Sequence, residues 1–218
     1  DTFFDISTVE AVDVLNVSAT IGKSAVNGKA SDIVFGLAGG DQVGTTLNID
    51  GDANLFIRED DNEFEALTDV NVSSSGALDI DLGDNNNDIN FAGGTGATTL
   101  VTGDGDSTIV TGGKGDSITV GSGDNNIKSG GGNDTVNIIN GCNQTVDLGE
   151  GDDTINTLVS LTKDDKLDGG AGTDTLNANV YTLDLVSADP TFDASIANFE
   201  ILGIGGAGGG VAQGDNLV

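Results

Sequence analysis

Aspartates that recur through the middle of the chain are the side chains best placed to do chemistry. Each of them stands two residues before a branched aliphatic residue: Asp116, Asp134, Asp153 and Asp174. If these residues stack on neighbouring parallel strands, ~4.8 Å apart, adjacent carboxylates repel by roughly 1 kcal/mol in water and about 3.5 kcal/mol at an effective dielectric of 20. Such a row favours a bound cation, and oxygen ligands in flexible turns suit calcium better than magnesium. We therefore expect calcium as the cofactor; the alternative is that the acids only form a solvated charged surface.

The composition excludes most other chemistry. The 218 residues include 36 acidic and 7 basic side chains, for a net charge of −29, with no histidine and a single cysteine, Cys142. Without histidine there is no Ser-His-Asp or Cys-His catalysis and no His-ligated zinc, and one cysteine makes no internal disulfide. The negative field argues against nucleic acid and anionic membranes as partners, and no apolar run reaches the ~18 residues needed for membrane insertion. We expect a protein that is not an enzyme.

The aspartates belong to nine-residue blocks that run from Leu82 to Asn177. The first six places of a block carry glycine, Asp and Asn, which favour turns, and the last three form a short strand with one inward residue. A branched aliphatic residue takes the eighth place of every block: Ile89, Leu100, Ile109, Ile118, Ile127, Val136, Val146, Ile155 and Leu176. Turns and strands at a constant period predict an all-β parallel β-solenoid.

The block at 169–177, GGAGTDTLN, matches the GGxGxDxUx nonapeptide of the RTX proteins, and the chain resembles an RTX β-roll over roughly residues 80–177. The resemblance implies a right-handed parallel β-roll in which successive blocks lie on opposite sides. It also implies calcium between turns two blocks apart, held by turn carbonyls and by the sixth-place Asp. The metal residues that it implies are Asp116, Asp134, Asp153, Asp174, Gly113, Gly130, Gly132, Gly149, Gly151, Gly170 and Gly172.

Alternation of the blocks predicts two unequal edges. The sixth places on one side are Thr98, Asp116, Asp134 and Asp153, and those on the other are Ser107, Asn125 and Gln144. We expect metal on the first edge and a hydrogen-bonded polar ladder on the second. Lys114 takes a glycine place beside Asp116, which weakens that site, and an insertion before residue 169 leaves the side of Asp174 open.

The flanks lose the nine-residue period. We divide the chain into an irregular β-solenoid segment (1–79), the calcium β-roll (80–177), and capping strands with a glycine-rich tail (178–218). A short acidic motif recurs around Glu10, Glu65 and Glu200, which we interpret as turn or edge residues, with metal ligation as the alternative. The D-x-D-x-N run at 50–54 starts like a calcium loop but has Leu55 where an EF-hand needs glycine, so it predicts a hairpin tip.

Such a sequence favours a calcium-dependent structural module of a secreted bacterial surface protein. Within the RTX group the flanking segments resemble S-layer and other surface-array proteins, which implies type I secretion, an extracellular or cell-surface location, and self-association into a lattice or with other surface proteins. A surface polysaccharide is a further candidate partner. The alternatives are the stalk of a secreted adhesin, and the C-terminal calcium and secretion domain of a larger exported enzyme or toxin.

Overall fold

Two parallel β-sheets make up the fold. The computed structural model describes residues 2–5, 12–19, 33–36, 43–58, 64–140, 142–159, 161–179 and 195–205. Within them the ten-strand sheet contains β1 (Thr2–Asp5), β3 (Ile33–Gly36), β5 (Leu55–Arg58), β7 (Leu78–Leu82), β9 (Thr98–Thr102), β11 (Ser117–Val120), β13 (Thr135–Ile138), β15 (Thr154–Thr157), β17 (Thr175–Asn179) and β19 (Ile201–Gly205). The nine-strand sheet contains β2 (Val12–Ala19), β4 (Val43–Gly51), β6 (Asp69–Val72), β8 (Asn90–Ala92), β10 (Thr108–Val110), β12 (Asn126–Gly131), β14 (Thr145–Glu150), β16 (Lys166–Asp168) and β18 (Ile196–Ala197).

Successive strands alternate between the sheets, and each strand pairs in parallel with the strand two places away. In the ten-strand sheet, for example, β13 pairs with β11 on one side and with β15 on the other. This is the arrangement of a parallel β-solenoid with two strands in each coil, so the predicted all-β parallel fold is confirmed. Both sheets continue across residues 79 and 177, so the flanking strands extend the same stack. No helix long and apolar enough to cross a membrane occurs among the described residues.

Inward side chains alternate along each strand, as the two-residue strand period requires. In a typical coil the sixth place, the eighth place and the first place of the next block all point inward, as Asp116, Ile118 and Val120 do. The core is therefore wider than one aliphatic per block, because first-place residues such as Val120 and Leu148 join it. The sixth-place residues are buried as well, and they are polar.

The first block of the repeat has a different register from the predicted one. Phe91, and not Ile89, pairs with Ile109 and takes the inward eighth position of its strand. Ile89 is also buried, in the sixth place that Ser107 holds one coil later.

The predicted hairpin tip at the D-x-D-x-N run, residues 50–54, is wrong. Its residues connect β4 to β5, which belong to opposite sheets, so the segment forms a corner of the solenoid and not the tip of a hairpin.

The side of Asp174 is settled by the strand pairing. Thr175 in β17 pairs with Thr154 in β15, so Asp174 lies on the same edge as Asp153. In the sequence, residues 160–168 fill one further nine-residue block, and its strand β16 belongs to the nine-strand sheet. The insertion is therefore only the three residues 157–159. The glycine-rich tail predicted after Gly203 lies outside the described residues from position 206 onwards.

Candidate metal-binding edge

The four predicted aspartates form one continuous row, which we call the aspartate ladder. Each ladder residue uses Oδ1 to accept a hydrogen bond from the backbone N–H of the sixth-place residue in the preceding coil. The donors are Thr98 to Asp116 (2.7 Å), Asp116 to Asp134 (2.7 Å), Asp134 to Asp153 (2.7 Å) and Asp153 to Asp174 (2.8 Å). These bonds fix the carboxylates at the spacing of the coils. Repulsion between neighbours is therefore built into the stack.

The ladder carboxylates are almost completely removed from solvent. The exposed fraction is 3% for Asp116, 1% for Asp134 and Asp153, and 0% for Asp174. In the last three residues, Oδ2 is buried and has no hydrogen-bond partner. No lysine or arginine of the described segments forms a salt bridge with the ladder; one salt bridge, between Lys163 and Asp164, lies elsewhere. A buried carboxylate oxygen without a partner is costly, and a bound cation would relieve that cost.

Burial raises the pKa of all four ladder carboxyl groups. The pKa of Asp134 rises to about 6, mainly through burial and further through repulsion from Asp116 and Asp153, while the hydrogen bond from the Asp116 N–H and the nearby Ser129 hydroxyl act in the opposite direction. For Asp174, repulsion from Asp153, Glu200 and Asp152 adds to the effect of burial. A bound cation would have the opposite effect on these pKa values, because it stabilises the ionised carboxylates.

Glycine turns lie directly before three of the ladder residues. Gly149 (φ 99°) and Gly151 (φ 146°) precede Asp153, and positive φ angles also occur at Gly130 and Gly132 before Asp134 and at Gly170 and Gly172 before Asp174. The turns also approach each other closely, since a Cβ on Gly149 would overlap the carbonyl oxygen of Gly130. The turn backbones hydrogen-bond to one another, as in the 2.7 Å bond from Ala171 N–H to Gly149 O. Six of the seven predicted glycines therefore have the expected conformation.

The turn before Asp116 is different. Gly113 does not have a positive φ, and a Cβ placed on it would meet no atom within 4 Å. Lys114 takes the place that glycine holds in the other turns and is exposed. Oδ2 of Asp116 accepts a 3.3 Å hydrogen bond from the Gly112 N–H, so this residue lacks the unsatisfied oxygen of the other three. The geometry separates Asp116 and Gly113 from the remaining predicted metal residues.

The opposite edge carries a hydrogen-bonded polar ladder, as expected. Ser107 N–H donates to Asn125 Oδ1 at 3.0 Å, and Gln144 N–H donates to Asp165 Oδ1 at 2.7 Å. Asp165 is buried and was missed in the sequence because its block lacks glycines. The sequence carries one indication of this position: Leu167 follows Asp165 by two residues, as Leu176 follows Asp174.

The additional acids of the turns lie outside both ladders. Asp88, Asp106 and Asp124 are exposed, and each accepts a backbone N–H from the next coil at 2.9, 2.7 and 2.9 Å. Asp104 and Asp152 do the same for Ser122 and Thr173, and Glu150 is exposed. Of the three flanking glutamates, Glu65 lies in a turn, Glu200 reaches the aspartate ladder, and Glu10 falls outside the described residues.

The donor set fits a hard cation. In the part of the chain that the structure describes, no three Asp, Glu, His or Cys side chains converge, so carboxylates alone do not make a cage. The residues that would hold an ion are Asp134, Asp153 and Asp174 through Oδ2, with carbonyls of their glycine turns. All of these donors are oxygens, which calcium prefers.

Comparison with known proteins gives no match: no family model matches the chain, and no curated protein and no solved structure is significantly similar to it.

Proposed function

We propose that this chain is a calcium-dependent structural module of a secreted bacterial surface protein, most like an S-layer component of the RTX type. Calcium bound along the aspartate ladder supplies the cohesion of the solenoid, and the chain itself has no catalytic role. The observation that carries the proposal is the row of buried Oδ2 atoms on Asp134, Asp153 and Asp174 that have no hydrogen-bond partner.

The electrostatics of the ladder support a metal. Four carboxylates are stacked with 0 to 3% exposure in a chain whose net charge is −29. Removing ionised carboxylates from water costs several kcal/mol each unless they are compensated. Calcium would neutralise neighbouring carboxylates and would bind oxygens that backbone N–H groups leave free. Only the folded stack brings these oxygens together, so binding and folding are coupled.

The coupling suits a protein that leaves the cell unfolded. Calcium is scarce in the cytoplasm, so the uncompensated ladder keeps the chain loose before type I export. The higher calcium concentration outside the cell then folds it. Extracellular calcium modules bind with dissociation constants of about 10⁻⁴ to 10⁻³ M, which matches such a trigger. A surface location and assembly into an array follow as parts of the same proposal.

An adhesin stalk, or the C-terminal calcium and secretion domain of a larger exported enzyme or toxin, would use the ladder in the same way. One observation favours the array. On strands β11, β13, β15 and β17 the outward side chains of the ten-strand sheet are uncharged: Ser117, Thr119, Thr135, Asn137, Thr154, Asn156, Thr175 and Asn177. We call these residues the neutral face. Copies of a highly negative chain repel least across such a face, so it is our proposed lateral contact. A surface polysaccharide is the second candidate for the same hydroxyl- and amide-rich surface.

Calcium titration of matched variants tests the proposal. Asp134→Asn removes one ladder charge and keeps an oxygen that accepts the Asp116 N–H. We expect calcium affinity to fall about tenfold or more, measured by isothermal titration calorimetry. Asp106→Asn makes the same charge change at an exposed acid and serves as the control, with affinity close to that of the unaltered chain. Equal affinities for the two variants would contradict a metal site on the ladder.

A further inference from the structure

The aspartate ladder does not end with the last nonapeptide. Strand β17 pairs with β19, and the pair Thr175 with Ile201 places Glu200 opposite Asp174. Glu200 therefore holds the sixth-place position of the next coil. The sequence around it, NFEIL, has none of the glycines of the repeat, so the nonapeptide pattern alone does not reveal this position.

Glu200 makes the same hydrogen bond as the ladder aspartates. Its Oε2 accepts the Asp174 N–H at 2.8 Å, as Asp174 Oδ1 accepts the Asp153 N–H at 2.8 Å. The turn before it also repeats the backbone conformation of the glycine turns. Two residues before each of Asp134, Asp153 and Asp174 stands a glycine with positive φ, and two residues before Glu200 stands Asn198, with φ 58°. Asn is among the few residues other than glycine that adopt this conformation readily.

An unsatisfied oxygen lies at this end of the ladder. Asp174 is 0% exposed, and its Oδ2 has no hydrogen-bond partner. Glu200 is the next carboxylate in the row and is itself exposed, so the terminal position is open to solvent on its outer side. A divalent cation there would satisfy Asp174 Oδ2 and would keep some of its water ligands.

We propose that Glu200 and Asp174 form a further cation site at the C-terminal end of the ladder, which takes a hard divalent cation such as calcium. The site rests on the proposed function, because it uses the same ladder. It assigns to Glu200 a role that the nonapeptide repeat does not contain. It also ties the last described strand, β19, to the calcium-bound stack, so that the coil beyond residue 195 is fixed by the ion as well as by strand pairing.

Calcium-binding stoichiometry of three variants, measured by equilibrium dialysis against calcium alone, tests the site. Glu200→Gln keeps an oxygen that accepts the Asp174 N–H but loses the charge. We expect one fewer calcium ion per chain, or a loss of about tenfold or more in affinity for one ion, with an unchanged far-ultraviolet circular dichroism spectrum in saturating calcium. Glu200→Asp restores the residue type of the ladder and should bind the full number of ions. Glu65→Gln, in the other described copy of the Phe-Glu motif and away from the ladder, is the control.

The outcomes separate the two claims. If the unaltered chain binds no calcium, both the proposed function and this site are wrong. If the unaltered chain binds calcium and Glu200→Gln binds the same number of ions with the same affinity, the terminal site alone is overturned. Equal losses in Glu200→Gln and Glu65→Gln would also overturn it, because the effect would then come from net charge and not from a ligand. A Glu200→Gln chain that fails to fold in saturating calcium would overturn it as well, because Glu200 would then be needed for the fold itself and not for one additional ion.

Discussion

At the scale of single residues, the ladder aspartates have two different oxygens. Oδ1 of Asp134, Asp153 and Asp174 completes a backbone hydrogen bond between coils, and Oδ2 is left buried without a partner. The first oxygen is structural, because it satisfies an N–H group that the turn leaves free. The second is available to a ligand. The same residue type thus fixes the spacing of the coils and leaves a buried oxygen that a bound cation would satisfy.

The raised pKa values predict how the metal-free chain responds to pH. Burial raises the pKa of Asp134 to about 6 in the folded chain, against 3.8 for a free aspartate side chain. Because a raised folded-state pKa means that the ionised form opposes folding, the penalty is fully present above pH 6 and is relieved progressively as pH falls from about 6 to below 3.8. For Asp134 alone it corresponds to about 3 kcal/mol. We expect more β-structure at pH 5 than at pH 7.5 in calcium-free buffer, measured by far-ultraviolet circular dichroism.

Asp134→Asn is the control for this pH effect. The amide does not titrate, so the variant should gain less β-structure on acidification than the unaltered chain and should have more of it at pH 7.5 without calcium. Protons would compete with the proposed calcium for the same oxygens, so calcium affinity should fall over the same pH range. A metal-free chain whose β-structure decreases steadily from pH 7.5 to pH 5 would contradict the assigned burial of the ladder.

At the scale of elements, the fixed period of turn and strand residues predicted a parallel β-solenoid, and the resemblance to the nonapeptide repeat implied that successive strands alternate between two sides. The repeat did not predict the register of the first block. Ile89 and Phe91 are two residues apart and point to the same side of the chain, so the alternation of inward and outward residues does not show which of them takes the eighth place. The pairing of Phe91 with Ile109 shows that it is Phe91. The ladder on Asp134 and Asp153 was predictable from the glycine turns. The roles of Asp165 and Glu200 were not, because strand pairing places them in the ladders without a glycine motif.

The glycine turns provide a test at this scale. Gly149 has φ 99°, and a Cβ there would overlap Gly130 O, so Gly149→Ala should destabilise the calcium-bound chain by about 1–3 kcal/mol or more. Gly113→Ala is the matched control, because that position has open space and no positive φ. Thermal unfolding in saturating calcium measures both. Equal melting temperatures for the two variants would show that the turn conformation is not required.

At the scale of the whole molecule, charged side chains are distributed unevenly between the two sheets. The chain carries 36 acidic and 7 basic residues, yet the neutral face contains no ionisable side chain. The outer side of the nine-strand sheet, in contrast, carries Lys128, Asp147 and Lys166, all exposed. Calcium bound on the aspartate edge, as proposed, would lower the net negative charge of each copy. Copies would then approach through the neutral face with less repulsion. Assembly would therefore depend on calcium both for folding and for the lower net charge.

A single added charge tests the role of the neutral face. Thr154→Glu places a carboxylate in the centre of the face, between Thr135 and Thr175 in the strand pairing. We expect this variant to bind calcium normally and to remain monomeric in calcium, measured by analytical ultracentrifugation and electron microscopy. Thr145→Glu makes the same change at an exposed position of the nine-strand sheet and should assemble like the unaltered chain. Assembly of both variants would rule out the neutral face as the contact, and an unaltered chain that stays an elongated monomer in calcium would favour the adhesin stalk.

Far-ultraviolet circular dichroism of the unaltered chain with and without calcium tests the central claim most directly. We predict a largely unfolded spectrum at pH 7.5 in excess chelator and a β-sheet spectrum in millimolar calcium, with a cooperative transition between them and no comparable effect of magnesium at the same concentration. The same β-sheet spectrum in both conditions would contradict the account, because the solenoid would then be stable with its ladder uncompensated.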